Sequence, residues 1–171
     1  MSELPEGISE GGGAGGGDIF VTPTSLLLIG GLLLTACLGL AGGQPSPRAR
    51  ADFALATLEV KTPGIIRNGE FFETEIEVRS KAGIEEAVLA VEPRLWRDMT
   101  INTMIPAAAE EEFRRGEFRF SYGPLEAGET LRIKIDGQIN PPLFAGTDGA
   151  IAVYDGDRLI GRQPISIRVL P

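Results

Sequence analysis

The chain has 171 residues, one cysteine, no histidine and a formal net charge of −8. These counts exclude an internal disulfide, every Ser-His or Cys-His nucleophile and every histidine-containing zinc site. All 16 Lys and Arg residues lie from Arg48 onward and form no basic stripe of the kind a phosphate backbone needs, so nucleic acid is not an expected partner.

Residues 1–22 are acidic and broken by two runs of glycine, Gly11–Gly13 and Gly15–Gly17. Such a segment buries too little apolar surface to offset the entropy of ordering it, so it is expected to be an unstructured tail. From Ile19 to Pro47 there is no charged residue, and the densest apolar part is Leu26–Ala41, LLLIGGLLLTACLGLA. Extended to 23–43, it reaches the roughly 20 residues that cross a bilayer core. Thr22 and Pro23 suit its start, and Gly42-Gly43 suit its end. A buried helix of a soluble protein is the competing reading, but nothing else in the chain is helical and apolar enough to surround it. Residues 44–52, with Pro45 and Pro47, read as an extended linker.

Cys37 closes the stretch Leu34-Thr35-Ala36-Cys37, which fits a lipoprotein signal box. The preceding segment is long, acidic and without positive charge, and the apolar run continues through Leu38 and Leu40. A membrane-embedded thiol packing as a small hydrophobe is therefore preferred, with lipidation at Cys37 as the alternative.

Beyond Phe53 the pattern changes to period two. Phe72, Thr74, Ile76 and Val78 alternate with Glu73, Glu75, Glu77 and Arg79. Phe118, Phe120 and Tyr122 alternate with polar neighbours, as do Leu131, Ile133 and Ile135, and then Ile165, Ile167 and Val169. Each run predicts a strand with one buried and one solvated face. Further strands are expected at Leu55–Val60, Ile84–Val91 and Met99–Thr103, and at Ile151 and Val153 before a hairpin on Asp155-Gly156-Asp157. Turns fall at Pro63-Gly64, Asn68-Gly69, Ala82-Gly83, Pro124 and Ala127-Gly128. Ala107–Arg115, AAAEEEFRR, reads as a short helix or turn at a crossover between two sheets. The fold class is all-β: an antiparallel sandwich of about 7–9 strands over residues 53–171, preceded by one transmembrane helix. Phe72, Ile76, Val78, Phe118, Phe120, Leu131, Ile133 and Ile151 are its expected core.

The turn sequences carry a family resemblance. Thr62-Pro63-Gly64-Ile65-Ile66-Arg67-Asn68-Gly69-Glu70 precedes the strand FFETEIEV, and Gly123-Pro124-Leu125-Glu126-Ala127-Gly128-Glu129-Thr130 leads into a later one. Together with Met104-Ile105-Pro106, this resembles immunoglobulin-like modules of bacterial envelope proteins, of the CARDB and conserved-repeat kind. The resemblance implies an immunoglobulin-like sandwich with no catalytic residues and says almost nothing about a ligand. Leu95–Asn102 and Gln138–Pro142 depart from the pattern.

Four residues are selected for partner binding: Arg94, Trp96, Arg97 and Met99. Tryptophan and arginine are common interface anchors. The competing reading packs Trp96 between the sheets, as this fold often does. Asp155-Gly156-Asp157 is half a calcium loop at most, and a hairpin turn explains it better. Glu110-Glu111-Glu112 reads as a solvated charged face. No catalytic, metal or cofactor residue is expected.

The expected function is non-enzymatic: a single-pass membrane protein presenting an immunoglobulin-like domain to another envelope or membrane protein. The alternative is a structural lipoprotein processed at Cys37. An enzyme using carboxylates alone has no strand-end pair of acids to support it. Arg48 and Arg50 beside the apolar segment argue for a cytoplasmic domain. The proline-rich spacer and the resemblance argue for an extracytoplasmic one, and that orientation is adopted.

Overall fold

The computed structural model describes residues 22–40 and 43–171. The expected unstructured tail lies outside these residues, apart from Thr22. Thr22 caps helix α1 (Pro23–Cys37) by accepting the Ser25 N–H on its hydroxyl at 3.2 Å, and Pro23 sits where no N–H is needed. The helix stops short of the expected end. Gly39 adopts φ +68° and donates its N–H to Ala36 O at 3.0 Å, while Leu40 N–H reaches Thr35 O at 3.1 Å. This paired closure is a glycine-centred C-cap, and it forms at Gly39 instead of Gly42-Gly43. The result is a 15-residue helix in place of one over 23–43. No helix among the described residues is long and apolar enough to cross a membrane.

Strands follow in chain order: β1 (Arg48–Asp52), β2 (Ala56–Lys61), β3 (Ile65–Arg67), β4 (Phe71–Ser80), β5 (Ala87–Val91), β6 (Met99–Ile105), β7 (Glu110–Arg114), β8 (Glu117–Ser121), β9 (Thr130–Ile139), β10 (Thr147–Asp155) and β11 (Arg158–Leu170). One sheet has the order β1-β2-β4-β9-β6, the other β3-β11-β10-β5-β8-β7. Pairing is antiparallel except between β3 and β11.

Period two works as its physics requires in β4. Phe72, Thr74, Ile76 and Val78 are buried, while Glu73, Glu75 and Glu77 meet Lys134, Lys61 and Arg132 of neighbouring strands at 2.8, 2.7 and 3.0 Å. One hydrophobic cluster joins Leu58, Ile76, Val78, Ile133 and Ile135 of the first sheet to Leu89, Val91, Ile151, Val153 and Ile167 of the second. The two sheets therefore face each other across a shared core as a β-sandwich. Of the expected core, Phe72, Ile76, Val78, Phe120, Ile133 and Ile151 are buried, whereas Phe118 and Leu131 are half-buried.

Eleven strands stand where about 7–9 were expected, and three short ones are at segments not read as strands. Residues 48–52, assigned to the linker, form β1 by pairing Arg48 with Lys61 through Asp52 with Thr57. Ile65–Arg67 pairs in parallel with the end of β11. Ala107–Arg115 contains no helix: Glu110–Arg114 is strand β7, paired with β8 around a turn in which Arg115 and Gly116 both have positive φ. Local helix propensity in AAAEEEFRR yields to that tertiary pairing. The segment does carry the chain from one sheet to the other, since β6 and β7 lie in different sheets.

Candidate functional site

The β5–β6 connection holds the residues selected from the sequence. Thr147 fixes it to β10 by donating its hydroxyl to Leu95 O at 3.2 Å and to Arg94 O. Gly149 lets it approach, because a Cβ there would lie 2.9 Å from Leu95 N and Leu95 Cβ. Leu95 is buried, and Trp96 follows it inward, half-buried. The Trp96 ring stacks on Phe118 at 5.7 Å and 28° and meets Phe120 at 5.7 Å with a tilt of 58°. Met99 is also half-buried against the core. Arg94 and Arg97 stay in solvent, where Arg94 pairs with Asp148 at 2.6 Å and Arg97 with Asp98 at 3.7 Å. The four residues therefore divide into an inward pair and an outward pair. Cys37 is exposed at the end of α1.

The Asp155-Gly156-Asp157 segment is a hairpin turn joining β10 to β11. Asp155 Oδ1 accepts the N–H groups of Glu85 and Glu86 at 2.9 and 3.1 Å, and Oδ2 pairs with Arg158 at 3.0 Å. Burial pushes the Asp155 carboxyl upward, but the Glu86 N–H, Arg158 and the Glu85 N–H together hold it below its ordinary value. That carboxylate is fully used in building the turn.

A second constellation lies on the outer face of the six-stranded sheet, and alternation alone did not reveal it. Strand β5 is buried on both faces. Its outward residues Val88 and Ala90 cluster with Ala152 and Tyr154 of β10. The register explains why. Ala90 sits opposite Arg119 of β8 on one side and Ala152 on the other, and Ala152 faces Arg162 of β11. Two alanines in mid-sheet leave a shallow trough, and the flanking arginines lie down across it from opposite sides.

Arg162 reaches Glu117 of β8 and Glu92 at the end of β5. Glu117 is only 6 % exposed, and its second oxygen accepts the Tyr154 hydroxyl at 2.8 Å. Burial, and then the hydrogen bond to Glu117, hold the Tyr154 phenol above its ordinary pKa. Arg119 crosses the other way. Its Cζ lies 4.4 Å from the Tyr154 ring centroid, and Nη2 donates to Gly156 O at 2.6 Å. Glu112 and Asp157 carboxylates lie 3.4 and 3.7 Å away. Arg119 is 2 % exposed, yet Nε and Nη1 find no hydrogen-bond acceptor.

An open cavity of about 510 Å³ adjoins Arg119, walled by Glu86, Glu110, Glu112, Arg114 and Asp157. Ser121, opposite Glu110 in the β7–β8 pairing, also stands in this wall, which offers charge and hydrogen bonding. The readable signal was the pair Ala90 and Ala152, too small to cover a sheet face, with Arg119 and Arg162 beside them.

No protein-family model and no curated protein sequence matches the chain. Solved structures similar to it include the chitin-binding domain of a hyperthermophilic chitinase from Pyrococcus furiosus, 16 % identical, with 66 % of this chain and 98 % of that one covered and a TM-score of 0.42. A CARDB domain in complex with di-metal ions, also from Pyrococcus furiosus, is 13 % identical over 71 % of this chain and 95 % of that one, with a TM-score of 0.43. A non-cellulosomal cohesin from Archaeoglobus fulgidus is 7 % identical over 64 % of this chain and 88 % of that one, with a TM-score of 0.41. The CARDB domain is of the kind that the turn sequences resemble.

Proposed function

We propose that the chain is a non-enzymatic binding protein, tethered to a membrane by its apolar helix and presenting the sandwich outside the cytoplasm to another envelope or membrane protein. The surface of α1 carries this reading. Leu26, Leu27, Leu28, Ile29, Leu32, Leu33 and Leu34 are each between 55 % and 76 % exposed, and no residue of the helix is buried. Burying one such side chain is worth about 1.5–3 kcal/mol, and a helix apolar on every side is covered by lipid or by protein. Fifteen residues extend only about 22 Å along a helix axis, against a hydrocarbon core of about 30 Å. The uncharged sequence itself runs from Ile19 to Pro47.

The outer-face cavity supplies the binding half of the proposal. Alkaline phosphatase fused after Pro171 tests the orientation: activity in intact cells supports an extracytoplasmic domain, and a silent fusion with a fluorescent cytoplasmic counterpart reverses it. Intact-mass measurement of the same protein tests Cys37, since a lipidated chain beginning at that residue would lack most of α1.

A further inference from the structure

We propose that the cavity beside β7 is the docking site for an extended basic segment of another polypeptide, with Lys or Arg at alternate positions. The inference rests on the reading of the sandwich as a binding module, and it does not depend on the tether.

Strand β7 is an edge. All five of its residues are exposed, and among the described residues it pairs only with β8. One row of its N–H and C=O groups is therefore open to an added strand. Its charge says which strand. A second copy of this edge paired in parallel register would set Glu110, Glu111 and Glu112 against like charges, and an antiparallel one centred on Glu112 still sets Glu112 against itself. A basic strand meets the opposite situation.

The cavity adds a requirement of charge. Four carboxylates, Glu86, Glu110, Glu112 and Asp157, stand in its wall against two guanidinium groups, Arg114 and Arg119. Glu112 and Asp157 already pair with those arginines, whereas Glu86 and Glu110 have no charged partner among the described residues. The unanswered charge calls for a cation. A simple anion meets the carboxylates, and a simple polyamine leaves the open edge of β7 unpaired. A peptide answers both, with an ammonium or guanidinium on its side chain and N–H and C=O groups for the edge. Val88 and Ala109 supply apolar wall against which a Lys stem can lie. Glu110 and Glu112 are two residues apart and share a strand face, so alternate residues of an added strand match them.

The test uses the full chain in dodecyl maltoside micelles and a fluorescein-labelled peptide, acetyl-Gly-Lys-Val-Lys-Val-Lys-Gly-amide, read by fluorescence anisotropy. Binding is expected, weakening as salt rises, and a counterpart with Glu in place of Lys should fail to bind. The double variant Glu86→Gln, Glu110→Gln, which alters only wall residues with no charged partner, should weaken the Lys peptide about tenfold. No binding of the Lys peptide, or equal binding of both peptides, overturns the inference. Binding unchanged in the double variant but lost in Trp96→Ala also overturns it and moves the site to the β5–β6 connection, leaving the binding-module reading in place.

Discussion

The Arg119 guanidinium lies 4.4 Å above the Tyr154 ring although strand β5 separates their two strands. The span is possible because Ala90, the β5 residue opposite Arg119, presents only a methyl group on that face. The same trough lets Arg162 cross in the opposite direction to Glu117. A sheet face that alternation assigns to solvent is thereby covered by its own charged side chains.

Glu117 is the keystone of that cover, because it satisfies both Tyr154 and Arg162. Glu117→Ala leaves the buried Tyr154 hydroxyl without its acceptor and the Arg162 guanidinium with Glu92 alone. It should destabilise the fold by about 2–4 kcal/mol, read by urea denaturation. Arg119→Met should cost less, about 1–2 kcal/mol, because the bond to Gly156 O and the stacking on Tyr154 are lost while two unsatisfied donors are removed and the same space is filled. A large loss in the second variant and none in the first would reverse the assignment of roles.

Trp96 rests on Phe118 and Phe120, so Trp96→Ala should cost about 2–3 kcal/mol in the same assay, less than for a fully buried tryptophan. Arg97→Ala, at an exposed side chain, should change stability by less than about 0.5 kcal/mol. Equal, negligible effects from both would place Trp96 on a free surface.

Gly149→Ala should destabilise by about 1–3 kcal/mol, because the new Cβ would meet Leu95 N and Leu95 Cβ at 2.9 Å. The connection carrying Trp96 would have to lift from β10, so weaker Trp96 fluorescence shielding, measured by iodide quenching, should accompany the loss.

Alkaline pH should unfold the domain through its tyrosines. Burial, with Glu111 adding to it, pushes the Tyr122 phenol up to about 12. The folded chain then keeps a proton that the unfolded chain releases near pH 10. The stability from that difference is complete below pH 10 and is lost as pH rises through the folded value. Tyr154 is shifted in the same direction. Denaturation midpoints measured from pH 8 to pH 12 should therefore fall, and Tyr122→Phe should flatten that fall in part.

The alternation of Phe72 to Val78 and of Leu131 to Ile135 was enough to read two facing sheets, because one buried face imposes period two whatever the partner strand. Turn glycines such as Gly69, Gly83 and Gly128 were legible for a related reason, since each holds a positive φ. Strand β7 was not legible. Its Glu-rich sequence has no buried face, and only pairing with β8 makes it a strand. The outer-face site escaped for the opposite reason: Arg119 and Glu117 sit at positions that alternation gives to water, and what buries them is the smallness of Ala90 and Ala152 on other strands. The end of α1 turned on which of several glycines formed the cap, a choice that Gly39, Gly42 and Gly43 leave open in the sequence.

Flotation of the purified full chain with phosphatidylcholine vesicles on a density gradient tests the tether most directly. The chain should rise with the vesicles, and a variant carrying Leu28→Lys and Leu32→Lys, which places two charges on the exposed apolar helix, should remain at the bottom. A parent chain that stays at the bottom as a monodisperse monomer would contradict the account.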